Sequence, residues 1–188
     1  MSDHRSPEPK AGAWRRLLAA MCIGSASSAC VNGASLPQPP ISMAVDVSRA
    51  QVVVETEFEV KEEAFYAFNL AYPFKEGDKE DRARAVRLVG APIQNPSTGR
   101  WDAAGAELEL HLSVQALAAD GVAARSIHES DVKRPRESSA TADKLVSRLA
   151  AVKLGPGRFK VRLVNQHDAP KYHEARVDFS IVRAYMGK

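Results

Sequence analysis

ELELHLSV, the sequence of residues 107–114, alternates apolar and polar side chains without interruption. A β-strand points successive side chains to opposite faces, so this pattern predicts a strand with one face in a hydrophobic core and the other in water. Leu110 and Leu112 belong to the apolar face, and His111 belongs to the polar face. We therefore expect His111 to be an exposed, hydrogen-bonding side chain.

The same alternation recurs on both sides of this stretch. Segments that share it are residues 43–48, 52–60, 66–72, 159–164 and 177–182, with weaker examples at 122–129 and 145–154. Turn sequences that separate strands are found at residues 61–63, 95–99, 119–121 and 155–157. About eight short strands in one domain predict an all-β fold, a single antiparallel β-sandwich of the immunoglobulin or jelly-roll kind over residues 44–188.

Residues 78–90 break the alternation. Asp78 suits a helix N-cap, acidic residues follow it in the first turn, and Gly90 can end a helix. These signals predict one short helix near residues 78–89, packed on the core through Val86 and Val89. A second polar stretch, residues 130–143, is predicted to be a long loop.

The first 29 residues have the pattern of a bacterial signal peptide. Arg15 and Arg16 form a positive region, residues 17–23 an apolar region, and residues 25–29 a region of small side chains. The apolar region is much shorter than the roughly 20 residues that span a bilayer. We therefore predict that residues 1–29 are removed on export.

Cys30 follows this segment directly, at the position where a bacterial lipoprotein is cleaved and acylated with fatty acids such as palmitate. Residues 30–43 are rich in Pro and would form a tether between the lipid and the sandwich, or an irregular N-terminal arm if Cys30 is not acylated. Val31 favours sorting to the outer membrane, facing the periplasm. Ser27 stands where a lipoprotein cleavage site usually carries Leu, so secretion to the soluble periplasm is the alternative.

Charge and cysteine content narrow the class of partner. The net charge of +3 owes much to the leader, whose removal takes away four basic and two acidic side chains. No run of Lys and Arg with interleaved aromatic residues is present, so we expect no nucleic-acid partner. The only cysteines are Cys22 and Cys30, and Cys22 lies in the leader, so no disulfide is expected within the mature chain.

The sequence contains no motif typical of an enzyme. It lacks a Gly-x-Ser-x-Gly elbow, a His-Glu-x-x-His motif and a phosphate-binding Gly-rich loop. Histidines stand beside carboxylates at His128-Glu129, His167-Asp168 and His173-Glu174, but adjacent strand residues face opposite ways and would form a metal site only if these segments met in space. We predict a non-enzymatic protein with no catalytic residues, no cofactor and no metal.

Several segments taken together suggest a family. They are residues 54–63, 66–70, 74–78 (FKEGD), 81–84 (DRAR), 88–90, 154–161 (LGPGRFKV) and 168–170. The set, which extends over about residues 44–183, resembles a family of proteobacterial lipoproteins known as a domain of unknown function of the 5625 type. The resemblance implies a membrane-tethered, periplasm-facing β-sandwich without known catalytic residues. Because such lipoproteins are often encoded near secretion-system effectors, it also implies an immunity-type role.

The leading functional hypothesis is an envelope lipoprotein that binds a protein partner. Trp101, in a predicted loop, is a candidate anchor for such a partner, although it would equally serve to plug the end of the sandwich. Lys75, Arg82 and Arg84, around the predicted helix, are the other candidate contacts. Two alternatives are a sandwich that binds a small ligand or carbohydrate through Trp101 and the histidine-bearing loops, and a structural envelope component.

Overall fold

A computed structural model describes residues 35–90, 93–94, 101–102, 105–118 and 120–185. In this part of the chain, a five-stranded and a four-stranded antiparallel β-sheet pack face to face. The predicted all-β sandwich with one helix is confirmed. The predicted signal peptide, Cys30 and the predicted turn at residues 95–99 lie outside the described residues. No helix within the described part of the chain has the length and apolar character needed to cross a bilayer.

In chain order the elements are β1 Ile41–Val45, β2 Gln51–Val60, β3 Ala64–Pro73, α1 Lys79–Val89, β4 Ile93–Gln94, β5 Trp101–Asp102, β6 Glu109–Leu117, β7 Ala123–Lys133, β8 Ser139–Ala140, β9 Lys144–Leu154, β10 Gly157–Asn165, a 3-10 helix Pro170–Tyr172, and β11 Val177–Arg183. The five-stranded sheet has the order β1-β11-β3-β9-β8, and the four-stranded sheet has the order β2-β10-β6-β7. β4 and β5 pair with each other alone. The connections β1 to β2, β2 to β3, β9 to β10 and β10 to β11 cross between the sheets, as is typical of a β-sandwich.

The two inner faces meet in a core built from alternate strand positions. Leu110, Leu112 and Val114 of β6 are fully buried, as the alternation predicts. Phe58 of the four-stranded sheet packs edge-on against Phe68 of the five-stranded sheet, with the ring centroids 6.3 Å apart. Burying one such side chain stabilises the fold by about 1.5–3 kcal/mol. The sum of these contacts holds the sheets together.

Helix α1 has the ends that its sequence predicts. The carboxylate of Asp78 accepts hydrogen bonds from the backbone N–H groups of Glu80 and Asp81, at 3.1 and 3.0 Å. Gly90 follows the last turn with φ at +69°, a left-handed conformation that glycine adopts without a Cβ penalty. Both capping interactions satisfy backbone groups that a bare helix end leaves unpaired.

The buried face of α1 rests against β3 and β9. Val89 is buried and Val86 is half-buried against the core, which confirms their predicted roles, and Leu88 adds to this face. Beneath the helix, the hydroxyl of Tyr172 donates a hydrogen bond to the Leu88 carbonyl at 3.0 Å. This hydrogen bond ties the 3-10 helix to the end of α1. Burial of Tyr172 raises its pKa to about 12.

The prediction of one long loop over residues 130–143 is wrong. Strand β7 continues to Lys133, and Val132 pairs with the buried Leu110 of β6. β8 then pairs with the start of β9. β7 is an edge strand with one face in water, so its polar residues are compatible with pairing, and turn-forming composition alone did not reveal it.

The first strand begins at Ile41, three residues before the predicted start of the sandwich. Ile41 is buried and pairs with Ile181 of β11. Upstream, the Pro37 carbonyl accepts a hydrogen bond from the backbone N–H of Glu59 at 3.0 Å. Part of the segment predicted as a tether is therefore packed on the domain.

Candidate functional site

The outer faces of the two sheets differ in chemistry, and the difference locates the candidate site. On the four-stranded sheet, Glu55 pairs with Lys160 and with Arg162, and Glu57 lies 3.5 Å from Arg158. The hydrogen bond from Lys160 lowers the pKa of Glu55 below its ordinary value. These charges neutralise each other across neighbouring strands. That face is a solvated surface.

The outer face of the five-stranded sheet carries small residues at its centre instead. Ala67, Asn69 and Ala71 of β3 occupy alternate positions and are only 2%, 6% and 8% exposed. They are covered because larger side chains stand beside them on the two neighbouring strands. A groove of about 540 Å³ results. Its two walls are formed by Lys144, Val146 and Arg148 of β9 and by Asp178, Ser180 and Val182 of β11.

The strand register places a line of polar side chains across this groove. Ser42 of β1 pairs with Ser180 of β11, Ser180 pairs with Asn69 of β3, and Asn69 pairs with Arg148 of β9. Residues opposite each other on adjacent strands have Cβ atoms about 4.5–5.5 Å apart. Two hydroxyl groups, a carboxamide and a guanidinium group are thereby aligned. We call Ser42, Ser180, Asn69 and Arg148 the polar row.

Asn69 is the most informative member of the polar row. It is 94% buried, and its position between the inward-facing Phe68 and Leu70 directs its side chain into the groove. Within the described residues, its carboxamide forms no hydrogen bond. The carboxamide atoms are not enclosed, because water reaches them from the open side of the groove. A ligand in the groove would replace this water and hydrogen-bond the carboxamide directly.

The charges around the groove are predominantly positive. Asp178 on one wall is paired with Arg176 at 3.6 Å. On the other wall, neither Lys144 nor Arg148 forms an ion pair with any described residue. The backbone N–H of Arg148 is held by the hydroxyl of Ser138 at 3.1 Å, which fixes the strand beneath the guanidinium group. Lys144 is partly compensated by the carboxylate of the preceding Asp143, so Arg148 is the uncompensated cation of this wall within the described residues.

A second polar cluster lies at the end of the sandwich, where β6 begins and β10 ends. Nδ1 of His111 lies 2.9 Å from a carboxylate oxygen of Asp131, which also accepts a hydrogen bond from Gln166 at 2.7 Å. The hydrogen bond with His111 lowers the pKa of Asp131 most, and the hydrogen bond from Gln166 lowers it further. His111 is thus hydrogen-bonded as predicted, although its side chain is only about one-third exposed, at 35%.

The neighbouring His167 is also paired with a carboxylate. Its Nε2 lies 3.2 Å from Glu109, which accepts a further contact from Lys133 at 2.9 Å. A cavity of about 340 Å³ adjoins this cluster. In the described ranges, no three His, Cys, Asp or Glu side chains are placed to hold a metal ion. These contacts tie the segment after β10 to the sheet.

The three basic residues predicted to contact a partner lie outside the lining of the groove. Asp81 accepts a hydrogen bond from the backbone N–H of Lys75 at 2.7 Å and from Arg84 at 2.5 Å. The guanidinium of Arg82 lies over the ring of Phe74, 5.9 Å from its centroid. These three basic residues are therefore gathered at the start of α1.

Trp101, the other candidate anchor, belongs to the short strand β5. Its backbone pairs with Gln94 of β4, and its side chain lies outside the description. Cys30, the predicted lipidation site, is also outside the described residues. The roles of all five residues stay predictions.

The polar row was not identified from the sequence, although one signal for it was present. On β2 the water-facing positions carry Glu55 and Glu57, whereas on β3 the corresponding positions carry Ala67, Asn69 and Ala71. A strand face without charge or bulk marks a surface that something else is able to cover. The alignment of the other row members depends on register between distant strands.

Known structures resemble this fold. The crystal structure of a GEBA protein from Sulfurospirillum deleyianum aligns with a TM-score of 0.60 and 19% sequence identity, covering 77% of this chain and 97% of that one. At this level of identity the similarity concerns the fold alone. A structure of the Gx strain of infectious bursal disease virus aligns with a TM-score of only 0.26 at 8% identity, covering 76% of this chain and 28% of that one, and supports no inference.

Sequence comparison identifies the family. A search among curated proteins found no significant match. A family model, described as a domain of unknown function, DUF5625, matches residues 40–183, from just before β1 to the end of β11. The match covers both sheets, the helix and the polar row. The chain therefore belongs to the DUF5625 family.

Proposed function

We propose that this protein is a non-enzymatic binding module of the bacterial cell envelope, and that it holds a segment of a partner protein in the groove of the five-stranded sheet. The observation that carries the proposal is the groove itself, in which Asn69 presents its carboxamide from a floor of alanines and has no hydrogen bond to any described residue. A ligand in the groove would replace the water at this carboxamide.

The dimensions of the groove favour a polypeptide segment. Its volume of about 540 Å³ falls within the range of about 300–1,000 Å³ that is typical of binding sites. Its floor follows the direction of β3, so a chain in extended conformation is able to lie along it. Tyr185 stands at its rim and is 88% exposed. Tyrosine is enriched at protein interfaces because it combines a large apolar ring with a hydroxyl group.

Attachment to the membrane forms the second part of the proposal. The signal peptide pattern and Cys30 support a lipid anchor in the outer membrane, facing the periplasm. The partner would then be a periplasmic or envelope protein. The resemblance to lipoproteins encoded near effectors supports a more specific version, in which the partner is a toxic effector that the protein neutralises.

Site-specific crosslinking tests the proposal. A photoreactive amino acid at Ser180, within the groove, is expected to crosslink a partner in intact cells, whereas one at Gln115, on the outer face of the other sheet, is not. The captured protein is then purified and its Kd measured. Ser180→Tyr, which fills the groove, should weaken binding at least tenfold, and Gln115→Tyr should leave it unchanged. Equal binding to both variants would refute the groove as the site.

A further inference from the structure

We infer that the group recognised by the polar row is a carboxylate, carried by an Asp or Glu side chain of an extended peptide. This inference rests on the proposed function and names the chemistry of the partner segment. It is carried by the identity of the groups that flank Asn69 on the neighbouring strands. Arg148, Asn69 and Ser180 stand on three adjacent strands at one level of the groove.

The hydrogen-bonding capacity of the row is dominated by donors. Arg148 offers several N–H groups in a planar fork, Asn69 offers an NH₂ group, and Ser180 offers a hydroxyl. A carboxylate is an acceptor with two oxygens and about four lone-pair sites, and it matches a guanidinium fork in a bidentate arrangement. A ligand amide would bring donors of its own and leave part of this capacity unused.

Electrostatics point the same way. Lys144 precedes Arg148 by four residues on β9, an even spacing that puts both cations on the same face of the strand and on one wall of the groove. The carboxylate on the opposite wall, Asp178, is compensated by Arg176. At the rim, Arg183 is paired with Glu62 at 3.0 Å. The uncompensated charge in the groove is therefore positive, and a cationic or neutral segment would gain less from it.

The surroundings of the row favour a peptide over a small free anion. Ala67 and Ala71 lie on either side of Asn69 along β3, and alternate strand residues are about 6.6–6.8 Å apart. An extended peptide has the same spacing. When its acidic side chain meets Asn69 and Arg148, its residues two places before and after lie over the alanines. We therefore expect the recognised pattern to be apolar-x-acidic-x-apolar.

Three labelled peptides test this inference with the full chain. Their sequence is GVSXSVG with blocked ends, X being Glu, Gln or Lys, and binding is followed by fluorescence anisotropy at two salt concentrations. The Glu peptide is expected to bind at least tenfold more tightly than the Gln peptide, because hydrogen bonds to charged groups are the stronger ones. Its affinity should fall as salt rises, and the Lys peptide should bind most weakly.

Matched variants locate the interaction. Arg148→Gln should reduce affinity for the Glu peptide to that for the Gln peptide, and Arg148→Lys should restore only part of it, because Lys lacks the planar fork. Asn69→Ala should weaken both peptides. Lys153→Gln removes a positive charge from the same strand outside the groove, where Lys153 pairs with Glu63, and should change nothing. Thermal unfolding checks that each variant is folded.

The outcomes separate the inference from the proposed function. If the Glu and Gln peptides bound with equal affinity, and Ser180→Tyr abolished the binding of both, recognition of a carboxylate would be refuted while the groove would remain a peptide-binding site. If sodium acetate bound as tightly as the Glu peptide, the inference that the ligand is a peptide would be refuted. No binding of any peptide would overturn both proposals. A dimer that dissociates in Arg148→Gln would assign the groove to a second copy of the chain and refute the inference.

Discussion

Gly105→Ala tests a close backbone approach at the end of α1. A Cβ added at Gly105 would lie 2.7 Å from the carbonyl carbon of Val89 and 2.8 Å from both the nitrogen of Gly90 and the carbonyl oxygen of Leu88. All three are backbone atoms, so no flexible side chain is able to move aside. The next residue, Ala106, donates a hydrogen bond to the Leu88 carbonyl at 3.0 Å. The added methyl group would push these segments apart.

The magnitude follows from two opposing effects. Overpacking at a site that cannot relax typically costs about 1–3 kcal/mol. Loss of the hydrogen bond between Ala106 and Leu88 would add about 1 kcal/mol. Against these, replacing Gly by Ala reduces the entropy of the unfolded chain and contributes about 0.4–1 kcal/mol of stability. The steric cost exceeds this gain, so we expect Gly105→Ala to lower the free energy of unfolding by about 1–3 kcal/mol.

Urea unfolding of the full chain, followed by circular dichroism, measures this difference. Gly155→Ala is the matched control, because the nearest heavy atom to its added Cβ is a side-chain oxygen of Glu63 at 4.0 Å. The control should be as stable as the parent or more stable by about 0.4–1 kcal/mol. If Gly105→Ala equalled Gly155→Ala in midpoint and in m-value, the close approach would not exist in solution and the reasoning would fail.

Three further predictions concern titration and attachment. Burial raises the pKa of Tyr172 to about 12, so the contribution of its neutral hydroxyl to stability is complete below about pH 10, the pKa in the unfolded chain, and is lost as pH rises through 12. Tyr172→Phe should therefore reduce the fall in the free energy of unfolding between about pH 10 and 12. An unchanged pH profile would contradict this prediction. Hydrogen bonding, first from His111, lowers the pKa of Asp131, so its contribution is present above about pH 4 and is lost as pH falls through the folded value. His111→Ala should raise the Asp131 pKa measured by carbon NMR, and no change would show that His111 does not set it. Cys30→Ser should move the protein from the membrane fraction to the soluble periplasm, and a variant that still pellets with membranes would place the anchor elsewhere.

Strand faces and the helix were predictable from sequence because both depend on local periodicity. Alternation in residues 107–114 identifies which side chains of β6 are buried, and the cap residues Asp78 and Gly90 mark the ends of α1 within one turn. The prediction of a loop over residues 130–143 was wrong because it also relied on local periodicity. At an edge strand the alternation weakens, since one neighbour and half of the burial are missing.

The candidate site was less predictable than the fold. A strand whose water-facing positions are Ala67, Asn69 and Ala71 differs visibly from one that carries glutamates, so the floor of the groove had a signal in the sequence. The walls had none. Arg148 is one of many exposed arginines until β9 is paired with β3, where a register shift between Phe68 and Asn69 brings it opposite the carboxamide.

Local sequence alone thus specifies this protein as a sandwich of half-buried strands with one capped helix, because period and capping act over a few neighbouring residues. The polar row exists only in the tertiary structure. Ser42, Asn69, Arg148 and Ser180 lie on four strands far apart in the chain, and they become neighbours only when the register of three strand pairs is set. Register between distant strands is determined by packing of the whole core, and a shift of one residue in any of these strands would turn its member of the row to the opposite face.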